Sequence, residues 1–199
     1  MPRPHFEKKR ADKQRLILEA AKRVFCRKGF LAVKMQDIIN ECGISRGGIY
    51  IYYPSVEEVF LDVVNRRNAE GISTIKKAID AAEPFWDVYG AYMAKQKERL
   101  TNFGNSLFRA YCEYVFSRPA EAVNAFRDGQ LTYLRGSVEA ILRLGAEQGE
   151  INGENTTPLA VHIIAVIDGL SVLALGDALT GELVDEQFNL LERILKNKE

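Results

Sequence analysis

Apolar residues recur along this chain at the three- and four-residue spacing of amphipathic helices. The first segment shows the pattern clearly, with one apolar face made of Leu16, Ile17, Ala20, Ala21, Val24 and Phe25. No segment alternates apolar and polar residues between turn signals, as a half-buried strand would. The pattern therefore predicts an all-α fold of nine helices.

Glycine, proline and capping residues set the expected helix limits. Gly29 ends the first helix, and Ser55 with Glu58 forms a capping box that opens a long helix reaching about residue 82. Two short helices stand between them, at 35–42 and 46–52. The remaining helices are expected at 84–102, 104–117, 119–149, 158–179 and 184–196, with 149–157 as a loop.

The two short helices are typical of a helix-turn-helix. Gly43 supplies the positive φ that the tight turn between them requires. Apolar residues fit the inner faces: Ile38, Ile39, Cys42, Ile44 and Ile49. The outer face of the second helix carries Arg46, Gly47, Gly48, Tyr50 and Tyr52. Arginine can bond guanine or phosphate, tyrosine hydroxyls bond phosphate, and glycine lets the backbone approach a groove. A helical hairpin with no DNA role is the alternative.

Charge is divided unevenly along the chain although the net charge is +0. Residues 1–54 carry 12 Lys and Arg against 5 Asp and Glu, a net +7, and residues 55–199 carry a net −7. This split indicates a basic DNA-binding domain at 1–54 and an acidic domain at 55–199. The basic arm from Arg3 to Lys13 could reach an adjacent groove or could be a disordered solubilising tail.

Residues 29–60 resemble the N-terminal signature of the TetR family of bacterial transcriptional regulators. The matching features are the Gly-Phe pair, an inward Met, the turn glycine, and the run Ser-Arg-Gly-Gly-Ile-Tyr-Ile-Tyr-Tyr-Pro-Ser. The resemblance implies that DNA is bound by Lys34, Gln36, Ser45, Arg46, Gly47, Gly48, Tyr50 and Tyr52, with Ser45 as the helix cap. It also implies that Tyr53 and Phe60 pack the head onto the body. Ile51 and Val56 depart from the usual pattern, and Val56 replaces a lysine that often contacts phosphate.

The resemblance also implies an architecture and a mechanism. A three-helix N-terminal head would sit on a six-helix body that binds a ligand and forms a homodimer through its last two helices. The dimer would read a near-palindromic operator in double-stranded DNA. A small-molecule effector in the body would shift the helix that starts at Ser55 and release the DNA, which is the action of a repressor.

The middle segments are rich in aromatic residues, which either pack a core or line a pocket for a lipophilic ligand. The candidate ligand-binding residues are Trp86, Tyr89, Phe108, Tyr111, Phe126, Tyr133 and His162. Asn105, Glu113 and Asp168 could add polar contacts. Glu113 or Asp168, if buried, could pair with a cationic ligand, or equally with Arg109 or Arg135.

Other classes of protein find little support. The chain shows no catalytic triad order, paired-carboxylate motif, metal-ligand spacing or phosphate loop, so neither an enzyme nor a bound cofactor is expected. The three cysteines are expected to be small buried side chains. The apolar run at 159–175 nearly reaches membrane-span length, but His162 and Asp168 interrupt it, which favours a helix buried in a core or a dimer interface. The polar and basic residues 1–10 lack the apolar stretch of a signal peptide, so a cytoplasmic protein is expected. A helical adaptor that has lost DNA binding is the remaining alternative.

Overall fold

The computed structural model describes residues 4–197, with side chains from residue 8 onward. Within that range the regular structure is helical and contains no strand, as the hydrophobic pattern predicts. The nine α-helices are α1 (Pro4–Lys28), α2 (Met35–Cys42), α3 (Arg46–Tyr50), α4 (Val56–Asp80), α5 (Phe85–Thr101), α6 (Leu107–Phe116), α7 (Ala120–Glu147), α8 (Thr156–Leu175) and α9 (Gly181–Lys196).

Three helix limits differ from the predicted ones by more than two residues, because local turns intervene. A 3₁₀ turn at Phe103–Asn105 delays α6, which starts after Ser106, whose Oγ accepts a hydrogen bond from the Arg109 amide. Asp177 adopts a φ of 53°, so α8 ends earlier than expected. Thr180 then caps α9, which starts earlier than expected at Gly181.

The chain divides into two compact units by packing. The first contains the described residues up to Asn68 together with Gly104–Arg118, and the second contains Ala69–Phe103 and the described residues from Pro119 onward. The first unit therefore includes the start of α4 and the whole of α6. These packing units do not coincide with the division after residue 54 that the sequence predicts for the two functions, and that division stays a prediction.

An aromatic cluster forms the centre of the first unit. The ring of Phe60 lies 5.1 Å from that of Phe25 and 5.2 Å from that of Tyr114, between ring centroids. Phe30 completes the cluster, with its ring 5.0 Å from both Phe60 and Tyr114. The guanidinium carbon of Arg118 lies 4.1 Å from the Tyr114 ring centroid, within the range of a cation–π contact. These contacts join α1, α4 and α6.

The second unit has its own core, formed by α5, α7, α8 and α9. Its fully buried side chains include Phe85 of α5, Leu142 of α7 and Ile163 of α8. A β-carbon at Gly145 would come within 2.7 Å of the Phe85 ring, so α5 and α7 can pack this closely only because that residue is glycine.

Helix α8 remains apolar beyond what this core needs. It has a mean hydropathy of 2.1, and 33% of its most apolar stretch is buried within the chain. Over the described residues it is the one helix long and apolar enough to cross a membrane by length and composition. Its exposed apolar side chains are Val161, Val172, Leu173 and Leu175.

Candidate nucleic-acid interface

The turn between α2 and α3 has the predicted helix-turn-helix geometry. Gly43 ends α2 in the left-handed region at φ 68°, and its amide donates to the Ile39 carbonyl over 3.0 Å. Ile38 and Ile39 of α2 and Ile49 of α3 are buried, so they fix the two helices against α1 and each other. The outer faces of both helices are left exposed.

Two adjacent glycines on α3 have different surroundings. Ser45 caps the helix by accepting a hydrogen bond from the Gly48 amide at 3.2 Å. A β-carbon at Gly48 would come within 2.8 Å of Ile44 Cγ2 and 3.0 Å of Ser45 Oγ, so glycine is required there by packing. A β-carbon at Gly47 would meet nothing within 4 Å. Gly47 is therefore the one whose open side allows a close approach by another molecule.

The predicted DNA-binding side chains lie on this open side or at its edges. Arg46 and Tyr50 are exposed on α3, with the guanidinium carbon 6.0 Å from the tyrosine ring centroid. Tyr52 follows α3 and is half-buried. Lys34 precedes α2 and is exposed, and the exposed Gln36 donates its side-chain amide to Asn40 over 2.8 Å. That hydrogen bond uses one of the two amide N–H donors of Gln36 and leaves the other donor and the carbonyl oxygen available.

Surface ion pairs join α1 to α2. Glu41 accepts from Arg23 at 2.8 Å and from Arg27 at 2.6 Å, and Lys28 pairs with Asp37 at 2.6 Å. The hydrogen bonds from Arg27 and Arg23 lower the pKa of Glu41 to about 2. Part of the basic charge near the N-terminus is therefore paired with carboxylates of α2, which the charge count alone did not reveal.

The sequence left Glu113 of α6 as a possible ligand contact or as a partner of Arg109 or Arg135, and the structure gives it Arg109 together with two backbone amides. Its Oε2 accepts from the backbone amides of Phe30 at 2.7 Å and Leu31 at 3.0 Å. Its Oε1 accepts from Arg109 Nε at 2.9 Å, so the Arg109 pairing considered from the sequence is present. One carboxylate thus holds the loop between α1 and α2 onto α6. The four-residue spacing of Arg109 and Glu113 was visible in the sequence, whereas the backbone contacts were not.

Tyr53 and Phe60, which the resemblance implies to be packing residues, are both buried in the first unit. The Tyr53 hydroxyl donates to Asp62 Oδ2 at 2.6 Å. Nearby, the Tyr114 hydroxyl donates to Glu57 Oε1 at 2.7 Å. Burial and the Glu57 carboxylate raise the pKa of Tyr114 to about 12, so that hydroxyl remains a donor at physiological pH.

The N-terminal arm continues α1. Arg3 lies outside the described residues, and the helix runs on from Pro4 with residues 8–13 exposed. An ordered basic extension of this kind differs from a disordered tail over that range. Its contact with a DNA groove remains a prediction.

The predicted ligand-binding residues are distributed over both units. Phe108 and Tyr111 stack on each other in α6 of the first unit, with ring centroids 5.5 Å apart. Trp86 and Tyr89 of α5 lie 6.0 Å apart and line a cavity in the second unit. The others do not line that cavity: Phe126, Tyr133 and the exposed His162. The structure therefore places two of the seven, Trp86 and Tyr89, in this cavity.

Residues suited to hold a metal are not grouped: from residue 8 to 197, no cluster of three or more His, Cys, Asp or Glu side chains is present. The three cysteines are not joined by disulfides, and Cys112 is buried while Cys26 and Cys42 are partly so.

Comparisons with known proteins match the region that contains α2 and α3. A sequence model of the bacterial regulatory proteins of the TetR family matches residues 17–63. The HTH-type transcriptional regulator YfiR of Bacillus subtilis is 31% identical over 159 residues, which cover 79% of this chain and 76% of that protein.

Solved structures share the fold across nearly the whole chain. A TetR-family regulator from Agrobacterium tumefaciens has a TM-score of 0.70 at 18% identity, covering 92% of this chain and 97% of that one. A transcriptional regulator from Saccharomonospora viridis, solved in complex with choline, has a TM-score of 0.66 at 19% identity and covers 94% and 97%.

The fold and the α2–α3 surface define a helix-turn-helix DNA-binding protein. The chain belongs to the TetR family and is a DNA-binding transcriptional regulator rather than an enzyme.

Proposed function

We propose that this protein is a ligand-responsive repressor that binds a near-palindromic operator as a homodimer in the cytoplasm. The observation that carries the proposal is the exposed face of α3, where Arg46, Gly47 and Tyr50 share one open side. An exposed arginine and tyrosine beside an open glycine suit a major groove, where arginine reads base edges and tyrosine holds phosphate.

DNA contacts are assigned to residues 1–54, with Lys34, Gln36 and Tyr52 at the edges of the α3 face. Ser45 contributes as the cap that sets the start of α3. Residues 55–199 are assigned to ligand binding and dimerisation. This division follows function, so α6 can belong to the first unit by packing and still lie in the regulatory segment by role.

The homodimer is proposed to form through α8 and α9. Both helices expose apolar side chains, including Leu173 of α8 and Leu190 and Ile194 of α9. Clustered apolar exposure of this kind is typical of a surface that is covered by a partner. A twofold dimer places two α3 helices on one DNA duplex about one helical turn, ~34–36 Å, apart or a multiple of it.

The effector is proposed to be a small molecule that binds in the second unit. The cavity beside Trp86 and Tyr89 supports this, and the choline complex of the Saccharomonospora viridis protein shows that a regulator of this fold holds a small organic molecule. Effector binding would favour a state with lower DNA affinity, a coupling typically worth ~1–3 kcal/mol.

A mobility-shift titration tests DNA binding. The probe is the duplex upstream of the protein's own gene, at two salt concentrations, with the natural protein, Tyr50→Ala and Phe116→Ala. Phe116 is exposed on α6, so its replacement removes an aromatic ring from the same unit but not from the α3 face. We expect tight, salt-sensitive binding that Tyr50→Ala loses and Phe116→Ala keeps.

A folded dimer that binds neither this duplex nor any duplex selected from a random pool would contradict the proposed repressor and favour the adaptor. Equal loss in both variants would place the effect in folding rather than in DNA contact.

Measurement of the molecular mass in solution tests the dimer, with Leu173→Lys as the variant that alters the proposed interface. A monomeric natural protein would contradict the proposed dimer.

A further inference from the structure

A half-open cavity of about 530 Å³ lies between α5 and α9 in the second unit. Its lining side chains include Trp86, Tyr89 and Met93 from α5, and Phe188, Glu192 and Lys196 from α9. The volume is within the range of small-molecule sites, and the walls combine aromatic rings with one charged pair.

The cavity already holds a cation that belongs to the chain. The Lys196 ammonium lies 5.1 Å from the centroid of the Trp86 ring and donates to Glu192 Oε1 at 2.5 Å. An aromatic face and a carboxylate that converge on one ammonium group are the two elements that recognise organic cations. Lys196 is 57% exposed, so it can swing into solvent and leave both groups free for another cation.

A buried polar atom beside the cavity lacks a partner. Tyr89 is 5% exposed, and its hydroxyl makes no hydrogen bond with any described residue. Burial and the nearby Glu192 carboxylate raise the pKa of this hydroxyl, so it stays protonated as a donor. Its oxygen is closed off from solvent, so the hydroxyl does not itself face the open part of the cavity.

The cavity opens on a side of α9 away from its exposed apolar edge. Phe188, Glu192 and Lys196 are four residues apart and form one edge of the helix. Leu190 and Ile194 are exposed and lie on the opposite edge at about 100° per residue. A dimer built on Leu190 and Ile194 would therefore leave the cavity accessible.

We propose that the cavity between α5 and α9 binds a hydrophobic organic cation, whose charged nitrogen displaces Lys196 from Trp86 and Glu192. Its apolar body packs against Met93 and Phe188. Binding is a property of the second unit alone, and only its effect on operator release rests on the proposed function.

Fluorescence of the full-length protein tests binding directly, because Trp86 is the single tryptophan of the chain. Benzyltrimethylammonium is titrated without DNA, with benzyl alcohol and benzoate as the uncharged and anionic comparators. We expect a saturable change in Trp86 emission with the cation, at concentrations where neither comparator gives one. Calorimetry with the same three compounds confirms that the optical signal reports binding.

Four variants separate the contributing groups. Glu192→Gln removes the carboxylate charge and should weaken cation binding on the order of 3- to 30-fold, and Lys196→Met removes the competing cation and should strengthen it by a similar factor. Gly90 lines the cavity with open space beside it, so Gly90→Leu should fill the site and abolish binding. Gly136→Leu is the matched control, at an exposed helical glycine of α7 with equally open space.

The gain expected in Lys196→Met cannot arise from misfolding, so it keeps the proposal falsifiable. Equal binding of benzyl alcohol and the cation, or unchanged binding in Glu192→Gln, would overturn the cation site. Loss of binding in Gly136→Leu to the same degree as in Gly90→Leu would also overturn it. Cation binding that leaves operator affinity unchanged would support the site and contradict its effector role. Failure to bind the cation would leave DNA binding untouched, because the titration contains no DNA.

Discussion

Gly29 lies against Glu113, and a methyl group on its Cα would overlap both carboxylate oxygens. Gly29 also has a φ of 75°, which side chains rarely adopt. The same carboxylate binds the amides of Phe30 and Leu31, the two residues that follow. Gly29 thus has two roles. It allows the turn at the end of α1, and it leaves space for the Glu113 carboxylate that attaches α6 to the residues after the turn.

Gly29→Ala should lower the free energy of unfolding by roughly 2–4 kcal/mol, since left-handed strain and overlap with Glu113 add together. Gly149→Ala is the matched control, because Gly149 has a φ of 72° and nothing within 4 Å of its β-carbon position. Gly149→Ala should lower the free energy of unfolding only by the cost of the left-handed conformation, about 1–2 kcal/mol. Urea unfolding measures both, and equal losses would show that Glu113 adds nothing.

Replacing each glycine of α3 by alanine should separate DNA contact from folding. Gly47→Ala should leave stability unchanged or raise it by up to about 1 kcal/mol, because alanine favours a helix. It should weaken operator binding, since its methyl group would project from the open face. Gly48→Ala should lower stability by about 1–2 kcal/mol through contact with Ile44 and the Ser45 cap. Thermal unfolding and mobility shifts measure the two effects, and the reverse pattern would contradict the assignment of the open face.

The ion pairs of Glu41 should make the stability of the first unit depend on acid. The folded pKa of Glu41 is about 2 against an ordinary value of 4.5, so its contribution is complete above about pH 4.5 and is lost as the pH falls toward 2. The difference in unfolding free energy between the natural protein and Glu41→Gln should therefore be constant near neutrality and shrink across that window. Glu186→Gln, at an exposed residue of α9, is the matched control for the removal of one surface carboxylate outside the α1–α2 ion pairs. A difference that grows in acid would contradict the sign.

Lys34→Ala should weaken binding to all duplexes alike, because an exposed lysine at the start of α2 is placed for phosphate rather than base contact. The slope of log affinity against log salt should fall by about 1. Lys95→Ala removes an exposed lysine of α5 and should change neither quantity. Salt titrations of the mobility shift provide the measurement, and an unchanged slope in Lys34→Ala would remove that residue from the interface.

Features that depend on neighbours in the sequence were predictable. Gly43, the Ser45 cap and the buried isoleucines of α2 and α3 act within a few residues, so the helix-turn-helix follows from spacing alone. Glu113 and Phe30 stand 83 residues apart, and no periodicity relates them. The cavity between α5 and α9 likewise requires two helices that are distant in sequence, which is why the sequence grouped Trp86 with Phe108 rather than with Phe188.

The packing of α6 in the first unit affects how this regulator folds during translation and how its parts can be used in gene fusions. Tyr114 and Glu113 complete contacts around Phe30 and Phe60, yet they are translated some fifty residues after Phe60. The aromatic core of the first unit therefore cannot form during translation until α6 has been synthesised. A gene fusion that transplants only the residues up to Asn68 would leave an aromatic surface bare, so a portable reading module must carry α6 with it.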